Sequence, residues 1–188
     1  DASHLTLGRP SCICLPATPE EARRAVALCA EHGVAFVARG AGTGLAGGAL
    51  PPDGAVVVAT SRLTRLDTVD PFTRRVRAEA GVRNEDVSRR AAPHGLHFAP
   101  DPSSQAAATI GGNVAANAGG PHCLKVGVTV QHVLRLAWVD PQGRAWTSGR
   151  GPASRVAGET GRPQHDSSWG RYAGRQPVRG TDRRRAAV

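Results

Sequence analysis

The sequence predicts an α+β fold: a small parallel βαβ lobe followed by a mostly antiparallel second lobe. Three observations predict it. A strand-like tract at Cys12–Leu15, a capped helical stretch from Thr18 and an apolar run at Val34–Val37 lie close together in the chain. Strand, helix and strand at such spacing make a parallel pair with a right-handed crossover. Two later pairs of apolar tracts are each joined by a four-residue turn, Asp70-Pro71-Phe72-Thr73 and Asp140-Pro141-Gln142-Gly143, which reads as two antiparallel hairpins. A glycine-dense turn follows directly on Val34–Val37, at the end of a parallel strand, where α/β sheets bind ligands.

Each element has a local reason. Residues 1–9 carry no pattern and form an N-terminal flank. Cys12–Leu15 is a short buried strand stopped by Pro16. Thr18 caps a helix, with Pro19 in its first turn and Glu21 as the capping-box acid. Ala22, Ala25, Val26, Leu28 and Cys29 recur at helical spacing, and Gly33 closes the helix. Ala55–Ala59 is a buried strand. Leu63–Val69 and Arg74–Ala80 form the first hairpin, with Val76, Ala78 and Ala80 alternating against Arg75, Arg77 and Glu79. Asn84–Ala92 is a second helix ended near Pro93-His94-Gly95, and Leu96–Ala99 is extended. Val130–Val139 and Ala145–Thr147 form the second hairpin.

Composition sets limits. The 188 residues suffice for one domain or two small lobes. Net charge is +9, which invites a nucleic-acid reading. Only Lys125 among the 24 basic residues is lysine, a bias that fits GC-rich coding rather than selection for phosphate. Residues 150–188 hold nine Arg against three acids, so most of the excess lies in a tail without apolar periodicity. That tail, 151–188, is expected to be disordered or foreign to the fold; an Arg/Gly RNA-binding tail is the alternative. With no methionine, the chain is expected to be a fragment or processed form. No signal-peptide pattern opens it, and no apolar run is long enough to span a membrane. Cys12 and Cys14 would share one strand face, but no second pair follows at zinc spacing, so the cysteines read as buried thiols in a reducing cytoplasm. No metal site is expected.

Two segments carry the chemistry. Arg39 to Gly48 contains five glycines, which let backbone N–H groups point one way and let another molecule approach closely. Thr43 adds a hydroxyl and Arg39 a fixed positive charge. Gly42-x-Gly44-x-x-Gly47 formally matches a dinucleotide fingerprint, yet that motif must open a helix. Pro51-Pro52-Asp53-Gly54 forbids one, so the cradle works through loop N–H groups alone. The second segment runs from Pro100 to Gly120. Its prolines stiffen the backbone, its small residues admit a flat, bulky ligand, and its hydroxyls and amides suit a polar edge.

Arg39-Gly-Ala-Gly-Thr-Gly-Leu-Ala-Gly-Gly48, Pro100-Asp-Pro-Ser-Ser104 and Thr109-Ile-Gly-Gly-Asn-Val-Ala-Ala-Asn-Ala-Gly-Gly120 together resemble the FAD-linked oxidases with a PCMH-type (vanillyl-alcohol-oxidase-like) flavin domain. Within that group they are most similar to the glycolate oxidase FAD subunit and the D-lactate and D-2-hydroxyacid dehydrogenases. The resemblance covers about residues 10–150, a partial FAD-binding domain incomplete at its C-terminus. It implies that Arg39, Gly40, Ala41, Gly42, Thr43, Gly44, Leu45, Gly47 and Gly48 hold the FAD pyrophosphate. It implies that Pro102, Ser103, Ser104, Thr109, Gly111, Gly112, Asn113, Asn117 and Gly119 run along the rest of the flavin. No histidine lies between Arg39 and Gly48, so non-covalent FAD is expected. Val126 departs from the aromatic that the family places before the glycine. His122 and Cys123 lie close to the flavin segment, with structural placement favoured.

The family reaction is oxidation of a 2-hydroxy acid such as glycolate or D-lactate, with hydride transfer to FAD. Electrons then pass to a quinone or to an iron–sulfur or other electron-transfer subunit. A cytoplasmic, or membrane-peripheral, enzyme without nucleic-acid partners is expected. The family continues with a segment completing the adenine side and with a substrate domain; this chain departs from that pattern after about Gly161. A shifted reading frame would produce such a tail, and a catalytically inactive remnant is the competing class. No catalytic residue can be nominated from the residues present.

Overall fold

The computed structural model describes residues 1–149, except positions 4, 6 and 7, together with the backbone of the strand Ala186–Ala187. The expectations for the Arg-rich tail otherwise lie outside the described residues. The first lobe is a three-stranded parallel sheet of β1 (Cys12–Cys14), β2 (Phe36–Arg39) and β3 (Val56–Ala59), in the order β1-β3-β2. The βαβ unit is therefore present, but its two strands are not neighbours. The Val56-Val57-Val58-Ala59 run is the most apolar and most buried of the three, and it takes the centre, where both faces are covered.

The helix α1 (Pro19–Glu31) joins β1 to β2. Thr18 Oγ1 accepts from the Glu21 N–H at 3.1 Å, and Glu21 reaches back to accept from the Ala17 N–H at 2.7 Å. Such a cap stabilises a helix by about 1 kcal/mol. Beyond the last turn Gly33 adopts φ +62, and the Val34 N–H donates back to the Cys29 carbonyl at 2.8 Å. That helix exit takes Val34, so β2 starts two residues later than the apolar run suggests.

The thiols differ from expectation. Cys29 is buried, Cys14 half-buried, and Cys12 and Cys123 exposed. β1 is an edge strand, and its Ile13 is 62% exposed, so this strand is not the buried one expected. Burial, with the Cys12 and Cys14 thiols beside it, pushes the Cys29 thiol up.

The second lobe begins with the hairpin at 63–81. It pairs at Leu66↔Ala78 and Asp70↔Arg75, and the register slips by one residue between these bridges, so no continuous ladder forms. The helix α2 (Asn84–Ala91) runs into a 3₁₀ turn at Ala92–His94 that Gly95 closes at φ +70. Val69, Ala91 and Leu96 form a core cluster with Val76 against it. Leu96–His97 (β4) pairs parallel to the late strand Ala186–Ala187.

Two helices were not legible in the sequence: α3 (Ile110–Ala116) and the single turn α4 (Cys123–Val126). The second hairpin is β5 (Arg135–Val139) and β6 (Ala145–Gly149); the late strand is β7. Residues 129–131 form a 3₁₀ turn instead of extending β5, because Thr129 is buried and its N–H and hydroxyl both donate to the Ala118 carbonyl, at 3.0 and 2.6 Å. Asp140 organises the predicted turn. Burial raises its carboxyl, but hydrogen bonds from Trp146 and Arg144 outweigh that and hold it at about 2. Trp138 and Trp146 stack across the strands with centroids 6.0 Å apart.

Candidate functional site

β2 and β3 end side by side, and two loops leave their C-terminal edge. The Thr60 N–H donates to the Arg39 carbonyl at 2.9 Å, tying the two exits together. From there the chain enters the glycine loop. Gly42 and Gly47 take φ +74 and +77, which glycine adopts without penalty. Arg39 folds back over Gly42: a Cβ there would meet Arg39 Nη2 at 2.6 Å. The Ala2 N–H donates to the Gly44 carbonyl at 3.0 Å, and Asp1 accepts from the Ala49 N–H, so the N-terminal flank lies against this loop.

Among the described residues, no backbone N–H from Ala41 to Gly48 finds a protein acceptor. Gly44 and Gly48 face open space where a side chain would be. Eight successive polar groups without internal partners must be met by water or by a ligand. Such a run of donors next to an arginine suits a diphosphate.

The second motif segment meets the first at Gly40. A Cβ on Gly40 would lie 2.5 Å from Thr109 Oγ1 and 3.8 Å from Gly112 Cα. Thr109 caps α3, accepting from the Gly112 N–H at 3.2 Å. The Ile110 and Gly111 N–H groups donate to Val82 and Ala80 carbonyls at 2.8 and 2.9 Å. The start of α3 thus spends its own donors on packing and positions the glycine loop.

The remaining predicted residues distribute along this seam. Pro102 is buried, Ser103 exposed, and the Ser104 carbonyl accepts from Ala107 and Ala108 N–H groups. Asn117 and Gly119 lie beyond the far end of α3, about 10 Å along its axis from Thr109. Asn117 adopts φ 48 and accepts from the Val130 N–H at 3.0 Å, while Gly119 faces Val128 and Cys123. His122 Nδ1 pairs with Asp101 Oδ2 and holds the Asp101 carboxyl below its usual range. Asn113 is 2% exposed and its Nδ2 has no acceptor among the described residues; Asn84 Oδ1 and Asp101 Oδ1 are likewise buried without partners.

A cleft of about 810 Å³ opens beside Gly40, Ala41 and Thr109. Its walls also include Ser61, Thr64, Gly81 and Arg83, none of which the motifs pointed to. Arg83 is held by a bidentate pair with Asp86 at 2.7 and 2.9 Å, which lowers the Asp86 carboxyl. Ser61 had one available signal: it stands two residues past the end of β3, at the edge where parallel sheets bind ligands. Among the described residues no group of three or more His, Cys, Asp or Glu could hold a metal ion.

A glycine loop rich in unspent donors, seated on a capped helix beside an open cleft, defines a domain that binds a nucleotide-type cofactor. The chain belongs to the FAD binding domain family, which it matches over residues 10–149, and FAD is the cofactor. It is 47% identical over 141 residues to glycolate oxidase subunit GlcD of Escherichia coli (strain K12), covering 75% of this chain and 28% of that protein. It is 35% identical over 158 residues to the GlcD subunit of Bacillus subtilis (strain 168), covering 84% and 34%. It is 38% identical over 129 residues to a D-lactate dehydrogenase of Archaeoglobus fulgidus, covering 69% and 29%. The chain spans about a third or less of the length of these relatives.

Among solved structures, 6-hydroxy-D-nicotine oxidase from Arthrobacter nicotinovorans superposes with TM-score 0.66 at 22% identity, over 76% of this chain and 31% of that one. An alkyldihydroxyacetonephosphate synthase gives 0.63 at 24%, over 73% and 25%. The fold is the PCMH-type FAD-binding fold. The residues present fit FAD on this structure's own terms: free N–H donors, room at Gly44 and Gly48, and an unpaired buried amide at Asn113.

Proposed function

We propose that this chain is the FAD-binding portion of a flavin-dependent oxidoreductase that oxidises a 2-hydroxy acid of the glycolate or D-lactate type. One observation carries the cofactor half of that proposal: the unspent N–H run of Ala41–Gly48, docked on Thr109. The hydroxy-acid half draws support from relatives named glycolate oxidase subunit and D-lactate dehydrogenase. Bound FAD supplies hydride acceptance, and the protein supplies binding and orientation.

In this proposal Ala41–Gly48 present N–H groups to the pyrophosphate, with Thr43 as a further donor and Arg39 as counter-charge. Thr109 and Gly112 fix the loop from below. Gly111, Asn113, Asn117 and Gly119, with Pro102 to Ser104, line the length of the ligand. Residues 10–150 are the flavin-binding unit, and a separate electron-transfer subunit takes the electrons onward. With no His between Arg39 and Gly48, the flavin is held without a covalent bond.

Reconstitution with FAD tests the cofactor. The protein should acquire the visible flavin band, and acid precipitation should release the flavin to the supernatant. A protein that excludes FAD, or keeps it after acid, overturns the corresponding statement. For the substrate, the whole protein carrying this chain should lose its oxidised flavin band on anaerobic addition of glycolate or D-lactate. Persistence of the band with both sinks that substrate class.

A further inference from the structure

The charge of the described body is unevenly placed. Between residues 62 and 90 there are eight arginines and five acids, and the rest of residues 1–149 is balanced. The net positive charge of the body therefore lies in the first hairpin and α2. At the apex of that hairpin Phe72 is 96% exposed, with Arg74, Arg75 and Arg77 exposed beside it.

This apex is built, not loose. Asp70 Oδ1 accepts from the Phe72 and Thr73 N–H groups at 2.9 and 3.2 Å, and Thr73 Oγ1 donates to Asp70 Oδ2 at 2.5 Å. Backbone bonds run both ways between Asp70 and Arg75, at 2.9 and 3.3 Å. Arg74 sits at φ 54, a left-handed conformation that strains a non-glycine residue. A strained, fully bonded turn thus holds one aromatic ring out in water on an arginine-rich hairpin. Aromatic and arginine side chains are the enriched anchors of protein interfaces, and pre-organised anchors bind at lower entropic cost.

We infer that the Phe72 apex is a docking knob for a separate protein subunit, which receives the ring in an apolar pocket rimmed by Asp and Glu. A protein fits better than an anionic membrane. Asp67, Asp70 and Glu79 are interspersed on the same hairpin and would be repelled by a uniformly negative surface, whereas a partner protein can match mixed charges one by one. The inference is independent of the flavin: the knob lies outside the glycine loop and the α3 segment, so its failure leaves FAD binding untouched.

The test places a photoreactive benzophenone analogue of phenylalanine at position 72 of the whole protein in its source cells. The adduct should map to an acidic surface of a second polypeptide. Arg74→Glu with Arg75→Glu should cut the yield about tenfold, the loss expected of a hot spot. Charge reversal of the mapped partner acid should restore it. Flavin content should be unchanged throughout. An intramolecular adduct, an adduct to a non-acidic surface, no adduct, or insensitivity to the double charge reversal each overturns the inference. So does co-sedimentation with phosphatidylserine vesicles that Phe72→Ala abolishes while protein adducts are absent.

Discussion

The two glycine-rich segments look alike in the sequence and use their glycines differently. In Arg39–Gly48 two of the five glycines keep space open: nothing lies within 4 Å of the side-chain positions of Gly44 and Gly48, and N–H donors are left unspent. In Thr109–Gly120 the glycines let neighbouring side chains and backbone press close. A Cβ on Gly111 would stand 2.7 Å from Ala80 Cβ, and one on Gly119 2.8 Å from Val128. A Cβ on Gly120 would overlap the Asp101 carbonyl and carboxylate. Glycine density therefore marks either a ligand cradle or a packed seam, and the fate of the N–H groups tells them apart.

Substitutions break or sharpen that contrast, the largest effect first. Gly120→Ala should destabilise the fold by about 1–3 kcal/mol, the cost of overpacking against backbone that cannot swing away. A thermal melt of the FAD-free protein reads it, and an unchanged midpoint would show that the seam is not packed. Thr109→Ala should cost about 1 kcal/mol through the lost cap and also free the floor under Gly40. Thr109→Ser should keep both the melt and the flavin affinity near those of the parent.

Gly44→Ala should move stability by less than about 0.5 kcal/mol, since the new methyl meets nothing, yet weaken FAD in a titration by standing in the cradle. Equal effects of Gly44→Ala and Gly120→Ala on the melt would erase the distinction. The smallest effect is a response to acid confined to the second segment. The hydrogen bond from His122 lowers the Asp101 carboxyl, so the pair's contribution is present above the ordinary Asp value and is lost as pH falls through the depressed one. Hydrogen-exchange protection at residues 117–123, corrected for the intrinsic rate, should then fall below pH 3.8, and Asp101→Asn should remove that pH dependence.

Much of this was legible in the chain. Thr18, Pro19 and Glu21 announced α1, because capping is a contact between near neighbours. Asp140 and Gly143 announced the second turn for the same reason, and Gly143 takes φ +77. Arg39–Gly48 was legible as a strand exit and loop because the prolines behind it excluded a helix. What could not be read were features set by distant partners. β3 stands between β1 and β2 because it has the most apolar surface to bury. α3 forms despite two glycines because Val82 and Ala80 accept its first N–H groups across the chain. Ser61, Thr64 and Arg83 reach the cleft through the sheet's edge and α2, not through any motif.

The sequence by itself determined the capped helix, the turns, the glycine loop and the family, since these rest on backbone freedom and contacts a few residues apart. Only the tertiary structure decided which glycines stay open and which are pressed shut. A Cβ meets or misses another atom according to what the fold brings within van der Waals range, and for Gly40 and Thr109 that neighbour comes from the other motif.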